Sequence, residues 1–158
     1  MNPEKMTTTL QSAIAEAQQI AMTRHHQEID IPHLWKILLQ ANQFGRNFYT
    51  DTGLDVDAFE KEVDRLLDEL PSVEGGNVRY GQSISQNLFH LLSEADQLKN
   101  EFQDEYLSTE IVLYALMKLK NHPLTVYLKK QGITAKEIKQ TIETLRGGDR
   151  VTSQNQEE

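Results

Sequence analysis

The sequence predicts an all-α fold of about eight helices, arranged as two pseudo-symmetric four-helix repeats. Three observations predict it. Apolar residues recur at steps of three and four rather than in alternation. Glycine is sparse and falls in the connections between those runs. Finally, the stretch Leu10 to Leu39 is written again from Leu88 to Met117. At an offset of 78 positions, Leu10 falls on Leu88, Ile14 on Leu92, Ala17 on Ala95, Ile20 on Leu98, Ile29 on Leu107, Leu34 on Val112 and Leu38 on Leu116. The match resumes at an offset of 79, where Gly53-Leu54-Asp55, Phe59 and Val63 meet Gly132-Ile133-Thr134, Ile138 and Ile142. Solenoid units run to roughly 20 to 50 residues. A longer period points instead to two similar half-domains packed face to face about an approximate two-fold axis.

The elements follow in order. Thr7 or a neighbouring Thr caps a first helix whose apolar face is Leu10, Ala13, Ile14, Ala17, Ile20 and Ala21, ending near Thr23. Asp30 caps a second, with Pro32 in its first turn, Leu34, Ile37, Leu38 and Ala41 inward and Trp35 on the same short helix. Phe44, Phe48 and Tyr49 form a third, stopped by Gly53 as a left-handed terminator. Asp55 caps a fourth carrying Val56, Phe59, Val63, Leu66, Leu67 and Leu70, and Pro71 closes it.

Residues 71–84, with three glycines and no apolar period, read as a mobile link between repeat one (about 7–70) and repeat two (about 85–147). Ser85 caps the fifth helix, which buries Leu88, Leu91, Leu92, Ala95 and Leu98. Ser108 caps the sixth, with Val112, Ala115, Leu116 and Leu119 inward. Pro123 opens a seventh with Leu124, Tyr127 and Leu128, which Gly132 ends. Thr134 and Glu137 frame a capping box for the eighth, with Ile138, Ile142 and Leu145. Residues 148–158, GGDRVTSQNQEE from Gly147 on, are poor in apolar groups and read as a flexible linker outside a domain of residues 1–147.

Composition excludes several functions. With 158 residues the chain is one domain's worth and can bury close to two-thirds of its unfolded surface without a staple. It has no cysteine, which removes thiolate catalysis, disulfides and zinc-thiolate sites. Sixteen Lys and Arg against 24 Asp and Glu give a net charge of −8, the wrong sign for nucleic acid. No apolar run spans a membrane, and MNPEKMTTT lacks the regions of a signal peptide, so a cytoplasmic, monomeric domain with no membrane partner is expected. No GxxxxGK[ST] loop occurs. His25, His26 and His33 lack a fixed set of companion ligands, so no metal is expected; His33 reads as a partly buried hydrogen-bonding residue of the second helix.

Several stretches together resemble one family: Thr7 with the Leu10, Ala13 and Ala17 helix, the segment IDIPHLWKILL from Ile29, Leu70-Pro71 with Val73-Glu74-Gly75, Tyr106-Leu107-Ser108-Thr109-Glu110, and the close LRGGDRVTSQ. The chain is similar along its whole length to the N-terminal domain of ClpB-type AAA+ disaggregases of the Clp family. The resemblance implies a cap on a hexameric ring that binds unfolded or aggregated polypeptide and passes it to the central pore, in cooperation with the DnaK system. It implies no cofactor here, ATP and Mg belonging to AAA+ modules this sequence lacks. It also assigns substrate contact to Thr7, Asp104 and Glu110, with Ile111 a further member. The alternative is an adaptor-docking domain of the ClpA or ClpC type.

Read from the residues alone, Thr7 is an N-cap and Glu110 a first-turn carboxylate suited to a helix dipole. The repeat adds one comparison: Asp104 and Glu110 fall on His26 and Pro32, so the acidic pair exists in one half only. Phe89 lies about 100° off the stripe of the fifth helix, and Ile111 and Tyr114 lie similarly off that of the sixth, which makes them candidates for an exposed apolar groove.

Overall fold

A computed structural model describes residues 2–156. It contains the eight helices, α1 (Thr8–Thr23), α2 (Ile31–Leu38), α3 (Phe44–Asp51), α4 (Val56–Glu69), α5 (Gln86–Leu98), α6 (Thr109–Leu116), α7 (Pro123–Lys130) and α8 (Ala135–Arg146). The offsets hold element by element: α1 and α2 map onto α5 and α6 at 78, and α3 and α4 onto α7 and α8 at 79. The extra residue sits in the connection before α7. Matching positions do matching local work. The Thr7 hydroxyl accepts from the Leu10 N–H and the Ser85 hydroxyl from the Leu88 N–H. Gly53 and Gly132 close α3 and α7 at φ +89° and +87°, a conformation costly for any side chain.

The halves are joined by an exchange that helical periodicity gives no hint of. Two strands of two residues each, β1 (Glu28–Ile29) and β2 (Ser83–Ile84), pair in parallel, and Met6 makes the equivalent bridge to Leu107. Each half thus lends the residue ahead of its first helix to the residue ahead of the other half's second helix. The Thr7 N–H donates to the Leu107 carbonyl at 2.9 Å, and the Ser85 N–H to the Ile29 carbonyl at 2.8 Å.

Around this junction lies one continuous core containing Leu10, Trp35, Phe59, Leu88, Val112 and Ile138. The Trp35 indole N–H donates to the Tyr49 hydroxyl at 3.0 Å, and Phe59 of the first half stacks on Tyr127 of the second at 5.5 Å.

Several expectations are corrected. Ala41 lies beyond the end of α2 and is exposed. Leu145, expected in the core, is 52% exposed. Ile111 and Tyr114 are buried rather than groove-lining, because α6 is enclosed on every side, by α5, α8 and α3. The link 71–84 is tied down: the Val73 N–H donates to the His25 carbonyl, the Gly81 N–H to the His26 carbonyl, and Tyr80 stacks on His25 at 4.6 Å. Residues 149–154 do not leave the domain at Gly147 but fold back over it, with Val151 buried; Glu157 and Glu158 of that expected linker lie outside the described residues. Of the Thr134 capping box only the hydroxyl half is made, accepting from the Glu137 N–H.

Not every glycine falls in a connection. Gly45 is inside α3, where a Cβ would sit 2.7 Å from the Leu38 carbonyl oxygen. Gly45→Ala is therefore expected to lose about 1–3 kcal/mol in urea unfolding, despite alanine's better helix propensity, because backbone must move to admit the methyl.

Candidate functional site

Three of the residues singled out from the sequence converge on one side of the second half. Asp104 lies in the turn before α6 and Glu110 in its first turn. The last residue of α8, Arg146, reaches between them: its Nη1 donates to Asp104 Oδ1 at 2.6 Å, its Nε to Glu110 Oε1 at 2.8 Å, and its Nη2 to the Ser108 hydroxyl at 3.3 Å. Its guanidinium also lies 5.1 Å over the Phe102 ring. That explains why Ser108, at the N-cap position of α6, caps nothing with its side chain: its hydroxyl serves the cation.

The group is largely buried, with only 8% of the Arg146 side chain, none of Asp104's and 12% of Glu110's exposed. Burial by itself would lower the Arg146 pKa, but the bond to Asp104 and the charge of Glu110 outweigh it and raise it. Asp104 Oδ1 also accepts the Val151 N–H at 2.9 Å, while its Oδ2 has no hydrogen-bond partner among the described residues. Thr7, fully buried, lies one residue from Thr8, whose N–H donates to the Gln154 carbonyl at 2.8 Å. Thr7, Asp104 and Glu110 are thus brought to one region, Thr7 and Asp104 buried and Glu110 part-buried at the edge of a surface concavity.

Arg146 was missed in the sequence, although the repeat carried the signal. At an offset of 79 it falls on Leu67, a core residue with 1% exposure. The second half places a cation where the first has a leucine, and carboxylates where the first has His26 and Pro32.

The first half fills the corresponding space with a neutral pair. His33 Nδ1 accepts the Asp30 N–H at 2.8 Å, so the ring's proton sits on Nε2 and is donated to His26 Nδ1, also at 2.8 Å. Burial, followed by the charge of His26, lowers the His33 pKa to about 4, and burial lowers that of His26 as well.

Two of the surface concavities adjoin the residues singled out above. One of about 310 Å³ lies beside the ionic cluster, between Thr9, Phe44, Glu110 and Leu145, with Arg150 and Val151 as its far wall. The other, of about 390 Å³ and mainly apolar, runs between the exposed flank of α1 and the residues of β2, lined by Met6, Ile14, Ala15, Ile29, Ile84 and Leu92. Met6 and Ile84, and likewise Ile14 and Leu92, are repeat equivalents, so this groove straddles the junction of the halves. Phe89 is 48% exposed on α5 but belongs to neither concavity. No cluster of His, Asp and Glu able to hold a metal occurs among the described residues, and none of their helices is long and apolar enough to cross a membrane.

A duplicated eight-helix bundle with an apolar groove on the seam between its repeats defines a helical double-repeat module. The chain belongs to the Clp repeat N-terminal domain family, whose model matches residues 5–131. It is 77% identical over its whole length to the Chaperone protein ClpB of Enterococcus faecalis, of which it spans 18%. The N-terminal domain of Hsp104 from Candida albicans has the same fold, with a TM-score of 0.77 at 21% identity over 96% of this chain and 97% of that one. So does the ClpV N-domain in complex with a VipB peptide, with a TM-score of 0.71 at 21% identity over 92% and 89% of the two chains.

Two outcomes are expected. Arg146→Ala, which strands two carboxylates in the interior, loses about 3–5 kcal/mol in denaturant unfolding, whereas Phe89→Ala stays within about 0.5 kcal/mol of the parent. Stability also falls on acidification through the histidine pair. The unfolded chain protonates His33 near pH 6.5 and the folded one near pH 4, so up to about 3 kcal/mol disappears across that window. Replacing His33 flattens that part of the stability profile.

Proposed function

We propose that this domain recognises clients for an ATP-driven disaggregase: it holds unfolded or aggregated polypeptide in the α1–β2 groove and passes it to an AAA+ hexamer. The observation that carries the reading is the groove itself. It is mainly apolar and open at the surface, floored by the core residues Met6, Ile29 and Leu92, with the partly exposed Ile14 and Ile84 and the exposed Ala15 along its sides. A trough of about 390 Å³ admits two or three aliphatic side chains of an extended segment and selects little beyond greasiness, which suits clients without a shape of their own. A cleft this small holds such a segment weakly, with a dissociation constant on the order of 100 μM. Further support comes from the curated relatives, which carry the name Chaperone protein ClpB. Because the chain spans 18% of their length, the ring, its ATP and Mg, cooperation with the DnaK system and work in the cytoplasm all belong to this proposal.

Docking of a folded adaptor is the second reading, favoured by the peptide held by a ClpV N-domain of the same fold. A tight one-to-one complex with a folded partner, together with indifference to unfolded chains, supports the adaptor reading and overturns the first.

Titration of labelled domain with an unfolded, apolar-rich protein is expected to shift amides around Ile14, Gln18, Ile29 and Ile84; scattered shifts with no cluster there overturn the groove. Ala15→Asp, at an exposed position on the groove wall, is expected to weaken binding about five- to tenfold while changing stability by no more than about 0.5 kcal/mol.

A further inference from the structure

Residues 149–154 form a strap tied to both halves. The Val151 carbonyl accepts the N–H groups of Glu105, at 2.8 Å, and Tyr106, at 3.4 Å, while the Val151 N–H donates to Asp104 Oδ1. Three residues on, the Gln154 carbonyl accepts the Thr8 N–H at 2.8 Å, and the Gln154 side-chain amide donates to the carbonyls of Glu4, at 2.7 Å, and Met6, at 3.2 Å. The strap therefore runs from the buried ionic cluster to the segment Pro3–Met6, and Pro3 and Met6 line the apolar groove. On its other side Met6 pairs with Leu107, leaving that wall of the groove held between Leu107 and Gln154.

We propose that Asp104 and Glu110 act on client binding through this strap rather than by touching the client. Glu110 fixes Arg146, Arg146 fixes the Asp104 carboxylate, that carboxylate pins Val151, and the pinned strap sets the Met6 wall of the groove. Asp104 and Glu110 are positioning residues. Their near-complete burial and their absence from the groove's lining are then the expected arrangement, because the backbone of residues 151–154 carries their hold to the Met6 wall, beside the pairing of Met6 with Leu107. The inference rests on the groove being the client site, and its first test does not.

That test is amide hydrogen exchange. Asp104→Asn keeps the shape of the side chain and removes its charge. It is expected to raise exchange at Val151 and Thr8 at least tenfold, with amides of the Trp35 and Phe59 core little changed. Unchanged protection at Val151 and Thr8 means that Asp104 does not hold the strap, and overturns the proposal whether or not the domain binds clients.

The second test is a double-mutant cycle on affinity for an unfolded, apolar-rich protein, using Asp104→Asn and Val151→Asp. The second substitution detaches the strap by setting two carboxylates against each other. Each alone is expected to weaken binding about three- to tenfold, and the pair no more than the larger single effect, because both release one element. If Asp104→Asn weakens binding by its full factor again in the Val151→Asp background, the carboxylate touches the client directly and the proposal fails. Absence of binding by the parent domain is a different failure, that of the groove reading, and leaves the exchange experiment to decide the strap.

Discussion

The whole arrangement depends on a backbone trade between the two halves. Met6 pairs with Leu107 and Ile84 with Ile29, each pairing flanked by a hydrogen bond from a capping residue, Thr7 or Ser85, to the opposite carbonyl. Those N–H groups stand just ahead of α1 and α5, where helix geometry leaves donors without partners, and the opposite half supplies the acceptors. Were the halves separated, four backbone groups and the packed faces of α3 on α6 and of α4 on α7 would lose their partners together. The cap, the bridge and the apolar seam are consequently one feature, and the groove is what the seam leaves open at its edge.

Duplication also shows where the halves part company. A core position holding Leu67 in the first half holds Arg146 in the second, and the space around it changes in concert, His26 to Asp104 and Pro32 to Glu110. A buried guanidinium is tolerable only if its charge is met and its donors are filled, and Asp104, Glu110 and Ser108 do both. What the sequence presents as an acidic pair peculiar to one half is, in the folded chain, two of the three members of an internal ionic group. Its third member is the one that reading motif by motif overlooks.

Most of the fold was legible because its signals are local. The cap residues Thr7, Asp30, Asp55, Ser85 and Thr134 and the terminators Gly53 and Gly132 stand where helix ends require a hydroxyl, a carboxylate or an absent Cβ. The offset of 78 then 79 located the single added residue in a loop. Strands of two residues were not legible, since alternation needs more length to show. Nor was the burial of Ile111 and Tyr114: helical periodicity assumes one face in and one out, and α6, enclosed on all sides, has no outer face. The strap was hidden by its composition, for GGDRVTSQNQ looks like solvated chain until Val151 finds its socket. For Asp104 and Glu110, nothing in sequence spacing distinguishes a carboxylate aimed at a client from one aimed at an arginine.

The bridge between Met6 and Leu107 joins residues about a hundred positions apart, one in each half. During synthesis, the amino-terminal repeat emerges from the ribosome well before the segment that completes its junction, and local helices alone give it little hold. A domain of this family therefore spends its own nascent life as an incompletely folded chain with greasy edges, in the same physical condition as the polypeptides it is proposed to serve.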